Sequence, residues 1–196
     1  TRFISEWGGT HYRFKRGYRA VIDEAMRLNG EGIDCPLAIE TSGHAALKEN
    51  YFLDDGAYLA IRLLIEVARL HQNNQGISDL LSTLAEPEES IEFRLPIRCD
   101  DFVSYGQRLI GRLTEYAEKD PAFSLAPNNY EGVRVQFGPA DGDGWFLLRL
   151  SLHEPLIAIN IESDRTGGCQ TIARRLFDFL QPYTELDLSP LADSLC

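Results

Sequence analysis

GVRVQFGPADGDGWFLLRLSLHEPLIAINIE, residues 132–162, decides the fold. Gly132 to Phe137, Trp145 to Leu152 and Leu156 to Glu162 read as three strands, and the Gly/Asp/Pro stretch between the first two predicts a hairpin. Upstream, Ile91 to Ile97 is a fourth strand. Phe102, Tyr105, Gly106, Leu109, Ile110, Leu113, Tyr116 and Ala117 fall on one helical face. Downstream, Cys169, Ile172, Ala173, Leu176, Phe177 and Leu180 form a second amphipathic stripe. The order β-α-β-β-β-α predicts an antiparallel sheet covered by two helices, an α+β domain over 91–196.

The first half reads differently. Tyr18 to Leu28 is helical, Gly30 and Gly32 end it, and Pro36 to Ile39 predicts a buried strand. A polar loop is expected from Glu40 to Tyr51. Asp54-Asp55-Gly56 opens a helix over 57–70, and a short helix follows near Ile77 to Leu84. Acidic residues suit the start of the long helix because free N–H groups there favour negative charge. Its apolar positions (59, 60, 61, 63, 64, 65, 67 and 68) run nearly all round, which predicts deep burial. About two strands are too few to bury it, so residues 1–86 read as an incomplete α/β domain. The polar run LAEPEES, Leu84 to Ser90, is the expected linker.

Composition narrows the function. The chain has 196 residues, of which 44% are apolar and 25% charged, which is globular composition. Nineteen basic and thirty acidic residues give a net charge of −11, which argues against nucleic acid and against an anionic membrane surface as partners. No apolar run is long enough to span a bilayer, and the first thirty residues lack a secretory apolar block. Cys35, Cys99, Cys169 and Cys196 are scattered without a C-x-x-C pair, which suits reduced thiols and a cytoplasmic location. The first residue is Thr1 and Met26 is the one methionine, so a processed chain or a piece of a longer one is expected.

Two segments carry candidate chemistry. In Glu40-Thr41-Ser42-Gly43-His44, side chains at i and i+2 of extended backbone point the same way. Glu40 and Ser42 are therefore placed to face vicinal sugar hydroxyls together, since a carboxylate accepts two O–H bonds and a hydroxyl does either job. Gly43 allows close backbone approach, and His44 suits proton transfer near neutral pH. A polar turn explains the same residues. In Arg149-Leu150-Ser151-Leu152-His153-Glu154-Pro155, Arg149, Ser151 and His153 share one face, and together they suit a phosphate. The polar side of a half-exposed strand explains these as well.

The first segment resembles the E-x-S-G-H sugar-binding loop of the α-D-phosphohexomutases, the phosphoglucomutase/phosphomannomutase family. The second resembles that family's R-x-S-x-T-E-P phosphate-binding loop. Their order and their separation of just over 100 residues match the family's third and fourth domains. The resemblance implies interconversion of hexose 1-phosphate and hexose 6-phosphate through a phosphoserine and a bisphosphate intermediate, with Mg2+ held elsewhere in the parent enzyme. Neither the phosphoserine loop nor the metal loop occurs in this sequence. The implied partners are a hexose phosphate and N-terminal domains of the same protein, and the segment alone is expected to be inactive and to hold no cofactor.

By that resemblance Glu40, Ser42 and Gly43 line the sugar site and His44 stands near the reacting oxygen. Arg149, Ser151 and His153 grip the phosphate that is not transferred. Lys15 and Arg19, in Lys15-Arg16-Gly17-Tyr18-Arg19, resemble a cleft-lining loop, though solvated charges before a helix explain them equally well. Leu152 and His153 depart from the family loop, and Asn160 stands where a second family Arg is expected. Asp141-Gly142-Asp143-Gly144 reads as a hairpin turn rather than a magnesium loop, and Gly167-Gly168 as a helix start rather than an anion site. A metal-dependent hydrolase using Asp141 and Asp143 is one rival reading. A sugar-phosphate-binding module without catalysis is another.

Overall fold

The computed structural model describes residues 1–151 and 154–195. It divides at the acidic linker into two compact units, Thr1–Ala85 and Glu86–Cys196.

The first unit opens with a short helix, α1 (Arg2–Glu6), followed by α2 (Tyr18–Gly30). Gly17, at φ 108°, makes the turn into α2 that an L side chain resists. Two short strands, β1 (Leu37–Ile39) and β2 (Ala45–Leu47), form an antiparallel hairpin with Leu37 opposite Leu47 and Ile39 opposite Ala45. A small core of Ala25, Ala38 and Ala46 joins α2 to this hairpin, with Val21, Ile22, Cys35 and Phe52 packed around it. The Asn29 side-chain amide ties the junction by donating to the Ala25 and Cys35 carbonyls, each at 2.8 Å. α3 (Gly56–Gln72) starts where expected, because the Asp55 carboxylate accepts the Tyr58 N–H at 3.0 Å.

Three expectations fail in this unit. β1 is not a buried strand: Ala38 is buried, while Leu37 and Ile39 face outward. The stretch from Glu40 to Tyr51 is not all loop, since it contains β2 and a 3-10 turn at Lys48–Asn50. The long helix is not deeply buried: Ile61 is 56% exposed, Leu64 is 66% exposed, and Leu70 is its one buried residue among those described. The first and the third share a physical reason. A two-stranded hairpin offers one small apolar face, which α2 uses, so little remains to cover α3.

The second unit follows the predicted order and adds to it. It comprises β3 (Glu89–Pro96), α4 (Phe102–Ala117), β4 (Ser124–Leu125), β5 (Val133–Phe137), β6 (Gly144–Leu150), β7 (Leu156–Ser163), α5 (Gly168–Leu180) and α6 (Ser189–Asp193). The sheet is antiparallel throughout, in the order β3-β7-β6-β5-β4. β4 and α6 were not visible in the sequence pattern, being two and five residues long. The Asp101 carboxylate caps α4 by accepting the Ser104 N–H at 3.1 Å.

Alternation then sorts the sheet's two faces. Phe93, Leu95, Val133, Val135, Phe146, Leu148, Ile157, Ile159 and Ile161 pack with Leu109, Leu113, Ile172 and Leu176 of α4 and α5. Phe146 is fully buried at the centre, its ring 5.8 Å from that of Phe137 and 6.2 Å from that of Phe123. Phe146→Ala is expected to lower the stability of this unit by about 3–5 kcal/mol in urea denaturation. A loss below about 1 kcal/mol would mean that the core is not closed around this ring.

Candidate functional site

The loop Glu40–His44 is the turn of the β1–β2 hairpin. It is closed at both levels, by the Glu40 N–H donating to the His44 carbonyl at 3.0 Å and the Gly43 N–H donating to the Glu40 carbonyl at 2.9 Å. Gly43 has φ 91°, so the residue type is dictated by the turn itself. The Ser42 hydroxyl donates directly to the Glu40 carboxylate. That bond, with the backbone of Gly17 and of Ser42 and the nearby His44 ring, holds the Glu40 carboxyl below the usual carboxylate range. A carboxylate and a hydroxyl thus converge on the exposed side of a pinned turn.

Other parts of the first unit reach the same loop. The backbone of Gly17, at the start of α2, lies near enough to Glu40 to help lower its carboxyl. Tyr18 stacks on the His44 ring with centroids 4.9 Å apart and planes 25° apart. On the imidazole's polar edge, Nδ1 lies 2.7 Å from the Asp54 carboxylate. A backbone bridge between Ala46 and Asp54 sets Asp54 beside β2 and hence beside His44. Sequence reasoning missed Tyr18 and Asp54. The pairing of residue 54 with β2 had no local signal, because it depends on the turn at Tyr51 and Phe52, both at positive φ.

Lys15 and Arg19 lie on either side of Gly17 in sequence and have local partners. Lys15 Nζ lies 5.6 Å from the Phe14 ring centroid, and Arg19 Nε lies 3.9 Å from Asp23 within α2.

In the second unit Arg149 is the penultimate residue of β6, and Ser151 follows the end of the strand. Ser151 accepts the Glu154 N–H at 3.3 Å, and its own N–H donates to the Leu156 carbonyl at 3.0 Å. Leu152 and His153 lie outside the described residues, so the third member of the predicted Arg/Ser/His group is not placed. Arg149 points away from the helices, in one row with Ala158 of β7 and Arg94 of β3. Arg94 is ion-paired with Glu154. Asn160 sits in the next row and donates to Glu92 at 3.0 Å. Gly132 is required beneath this end of β6: its φ is +89°, and a Cβ there would lie 2.1 Å from the Leu148 carbonyl oxygen and 2.9 Å from the Arg149 Cα.

Asp141 and Asp143 belong to the β5–β6 connection, where Asp141 is ion-paired with Arg175 and the Asp143 carbonyl accepts the Asp164 N–H at 2.8 Å. Among the described residues no three His, Cys, Asp or Glu side chains converge as a metal ion would need. The start of α5 is occupied by Glu89 of β3, whose carboxylate accepts the N–H groups of Gly167 at 2.6 Å and Cys169 at 3.0 Å. Those two bonds hold the Glu89 carboxyl below its ordinary range. Burial, with Glu89 nearby, pushes the Cys169 thiol up to about 11.

Residues 1–87 match the family model described as phosphoglucomutase/phosphomannomutase, alpha/beta/alpha domain III. A phosphoglucomutase from Neisseria gonorrhoeae is 29% identical over 180 residues, 89% of this chain and 35% of the relative. A phosphomannomutase/phosphoglucomutase from Pseudomonas syringae pv. tomato is 32% identical over 174 residues, 88% of this chain and 33% of the relative. A crystal structure of a phosphoglucomutase/phosphomannomutase family protein from Burkholderia thailandensis superposes with a TM-score of 0.68 at 28% identity, covering 93% of this chain and 35% of the other. The chain is therefore related over most of its length to the α-D-phosphohexomutases, and it spans about a third of the length of the curated relatives it matches. Among the described residues no helix is long and apolar enough to cross a membrane.

Glu89 yields a pH prediction. Its carboxyl is depressed in the folded state, so the stability it contributes is present above the unfolded value of about 4.3 and is lost as pH falls through the folded value. Glu89→Gln is expected to be less stable than the parent by roughly 1 kcal/mol at neutral pH. Its stability should also fall less steeply between about pH 5 and 3. Parallel acid-denaturation curves for the two proteins would contradict the assignment.

Proposed function

We propose that this chain is the C-terminal part of an α-D-phosphohexomutase, comprising part of the third domain and the fourth, acting in the cytoplasm. The parent interconverts hexose 1-phosphates and hexose 6-phosphates through a phosphoserine and a bisphosphate intermediate. The observation that carries this reading is the convergence of Glu40 and Ser42 on one pinned turn, in a chain whose relatives are named phosphoglucomutase and phosphomannomutase. The exposed apolar face of α3 supports it too, since such a face needs cover that the described residues do not supply.

In this proposal the Glu40 carboxylate, kept ionised by its neighbours, accepts hydrogen bonds from two sugar hydroxyls, and Ser42 and the Gly43 backbone complete the cradle. A carboxylate reads hydroxyl pairs from either direction, as a substrate that binds in two orientations requires. His44 exchanges a proton with the reacting sugar oxygen. Arg149 offers a planar fork to the phosphate that stays in place, and Ser151 and His153 are assigned to the same phosphate. Lys15 and Arg19 contribute diffuse positive charge. When bound, Mg2+ would neutralise the transferring phosphoryl group, and its ligands belong to a part of the parent other than these residues. Phosphoryl transfer needs that part too, so this chain alone is inactive.

Two measurements test this. The product of the complete reading frame is expected to convert a hexose 1-phosphate to the 6-phosphate, and Glu40→Ala to lower its kcat/KM by about 100-fold or more. Absence of that conversion overturns the reading. Titration of glucose 6-phosphate into the isotopically labelled 196-residue chain is expected to move amide signals of Glu40–His44 at millimolar concentrations at most. Micromolar affinity would contradict the need for the rest of the parent.

A further inference from the structure

The Asp54 carboxylate has no part in the reading above, yet it is aimed at the ring of the one residue assigned proton transfer. We infer that Asp54 is a positioning residue that fixes the tautomer and orientation of His44, with Tyr18 as the second wall. This inference rests on the proposed role of His44 and adds what makes that role usable.

The argument begins with adjacent carboxylates that have different tasks. Asp55 caps α3 through the Tyr58 N–H. Asp54 is not needed for that cap. It lies 2.7 Å from His44 Nδ1, held there by the bridge to Ala46, and its side chain is only 26% exposed. Carboxylate oxygens accept, so Nδ1 carries the proton in this bond, and in the neutral ring Nε2 is then the nitrogen with the lone pair. A neutral histidine side chain free in water favours the opposite tautomer, with the proton on Nε2, so the pairing changes what the ring presents. Tyr18 stacks on the ring face at 4.9 Å, which removes the remaining freedom about the side-chain torsions. The result is a ring turned so that its acceptor nitrogen is opposite the carboxylate. His44 itself is half-exposed, which leaves room for a sugar hydroxyl at that nitrogen. The arrangement follows the general logic by which a buried carboxylate orients a catalytic imidazole.

The test reads the tautomer directly. Long-range proton–nitrogen NMR spectra of the labelled chain at about pH 8, with His44 assigned by His44→Gln, are expected to show Nδ1 protonated and Nε2 unprotonated. Asp54→Ala is expected to shift the ring to the Nε2-protonated form, and Asp54→Asn, which keeps a carbonyl acceptor, to restore the first form in part. A wild-type ring protonated on Nε2 overturns the inference, and that spectrum decides the matter even where Asp54→Ala fails to fold. An unchanged tautomer in a folded Asp54→Ala overturns it equally.

In the full-length parent, Asp54→Ala is expected to lower kcat about 10- to 100-fold with KM little changed. Unchanged kcat overturns the catalytic half of the inference. The two readings fail separately. A correct tautomer in a parent without hexose-phosphate activity sinks the mutase proposal and leaves the pair. A wrong tautomer in an active mutase sinks only the pair.

Discussion

An antiparallel sheet covered on one face must send alternate side chains to opposite sides, and that constraint organises the whole second unit. β7 is the strand on which it bears hardest. Ile157, Ile159 and Ile161 are fully buried under α4 and α5, so Ala158 and Asn160 are obliged to face the other way. β7 pairs with both β3 and β6, and its register carries the same division outward to Arg94 and Arg149. A slip of one residue would bury the arginines and expose the isoleucines, a swap no core of this size tolerates. The position of the candidate phosphate arginine is therefore set by hydrophobic burial on its own strand and on the adjacent β7.

The first unit solves a different problem with less material. It has three residues per strand and a core of three alanines, so it cannot rely on a large apolar face. It relies on closed turns. The Glu40–His44 bonds, the Asn29 amide and the Ala46–Asp54 bridge each remove backbone freedom at a point next to the loop. Small core residues let α2 approach the hairpin closely, which brings Gly17 and Tyr18 to within reach of Glu40 and His44. Packing by alanine and pinning by hydrogen bonds are thus one device: the first sets the distance, and the second sets the loop's shape.

How much of this was legible in the sequence depended on the range of the interactions. The second unit was readable because its strands announce themselves by alternation and its helices by a 3.6-residue stripe. Ile157, Ile159 and Ile161 carry that signal in their own spacing. The Glu40/Ser42 contact arises differently from the alternation that suggests it, because residues 40–44 form a closed turn and not extended backbone. β2 was not readable: Ala45, Ala46 and Leu47 form a strand only because β1 lies opposite, and no periodicity appears in three residues. The burial of α3 is not legible in its sequence, because apolar composition reports what a helix can bury, and only the partner surface decides what it does bury. Tyr18 and Asp54 were invisible as partners of His44 because their contacts span 26 and 10 residues and run through left-handed turns.

Asp54 and Asp55 show how far apart two neighbouring identical side chains can be in function. In sequence they form one acidic start to a helix, and helix electrostatics account for either of them. The chain enters α3 through extended backbone at Asp55, so consecutive side chains there point to opposite sides. One carboxylate must turn toward the helix and satisfy an N–H group. The other must turn away, toward β2, where His44 is the nearest group able to donate. The cap therefore sets the direction of the second carboxylate as well as its own, and a helix start becomes the means by which an imidazole 10 residues upstream is aimed. Local helix chemistry and the candidate site are linked by a single peptide unit, which is why Asp55 is expected to matter to His44 without ever approaching it.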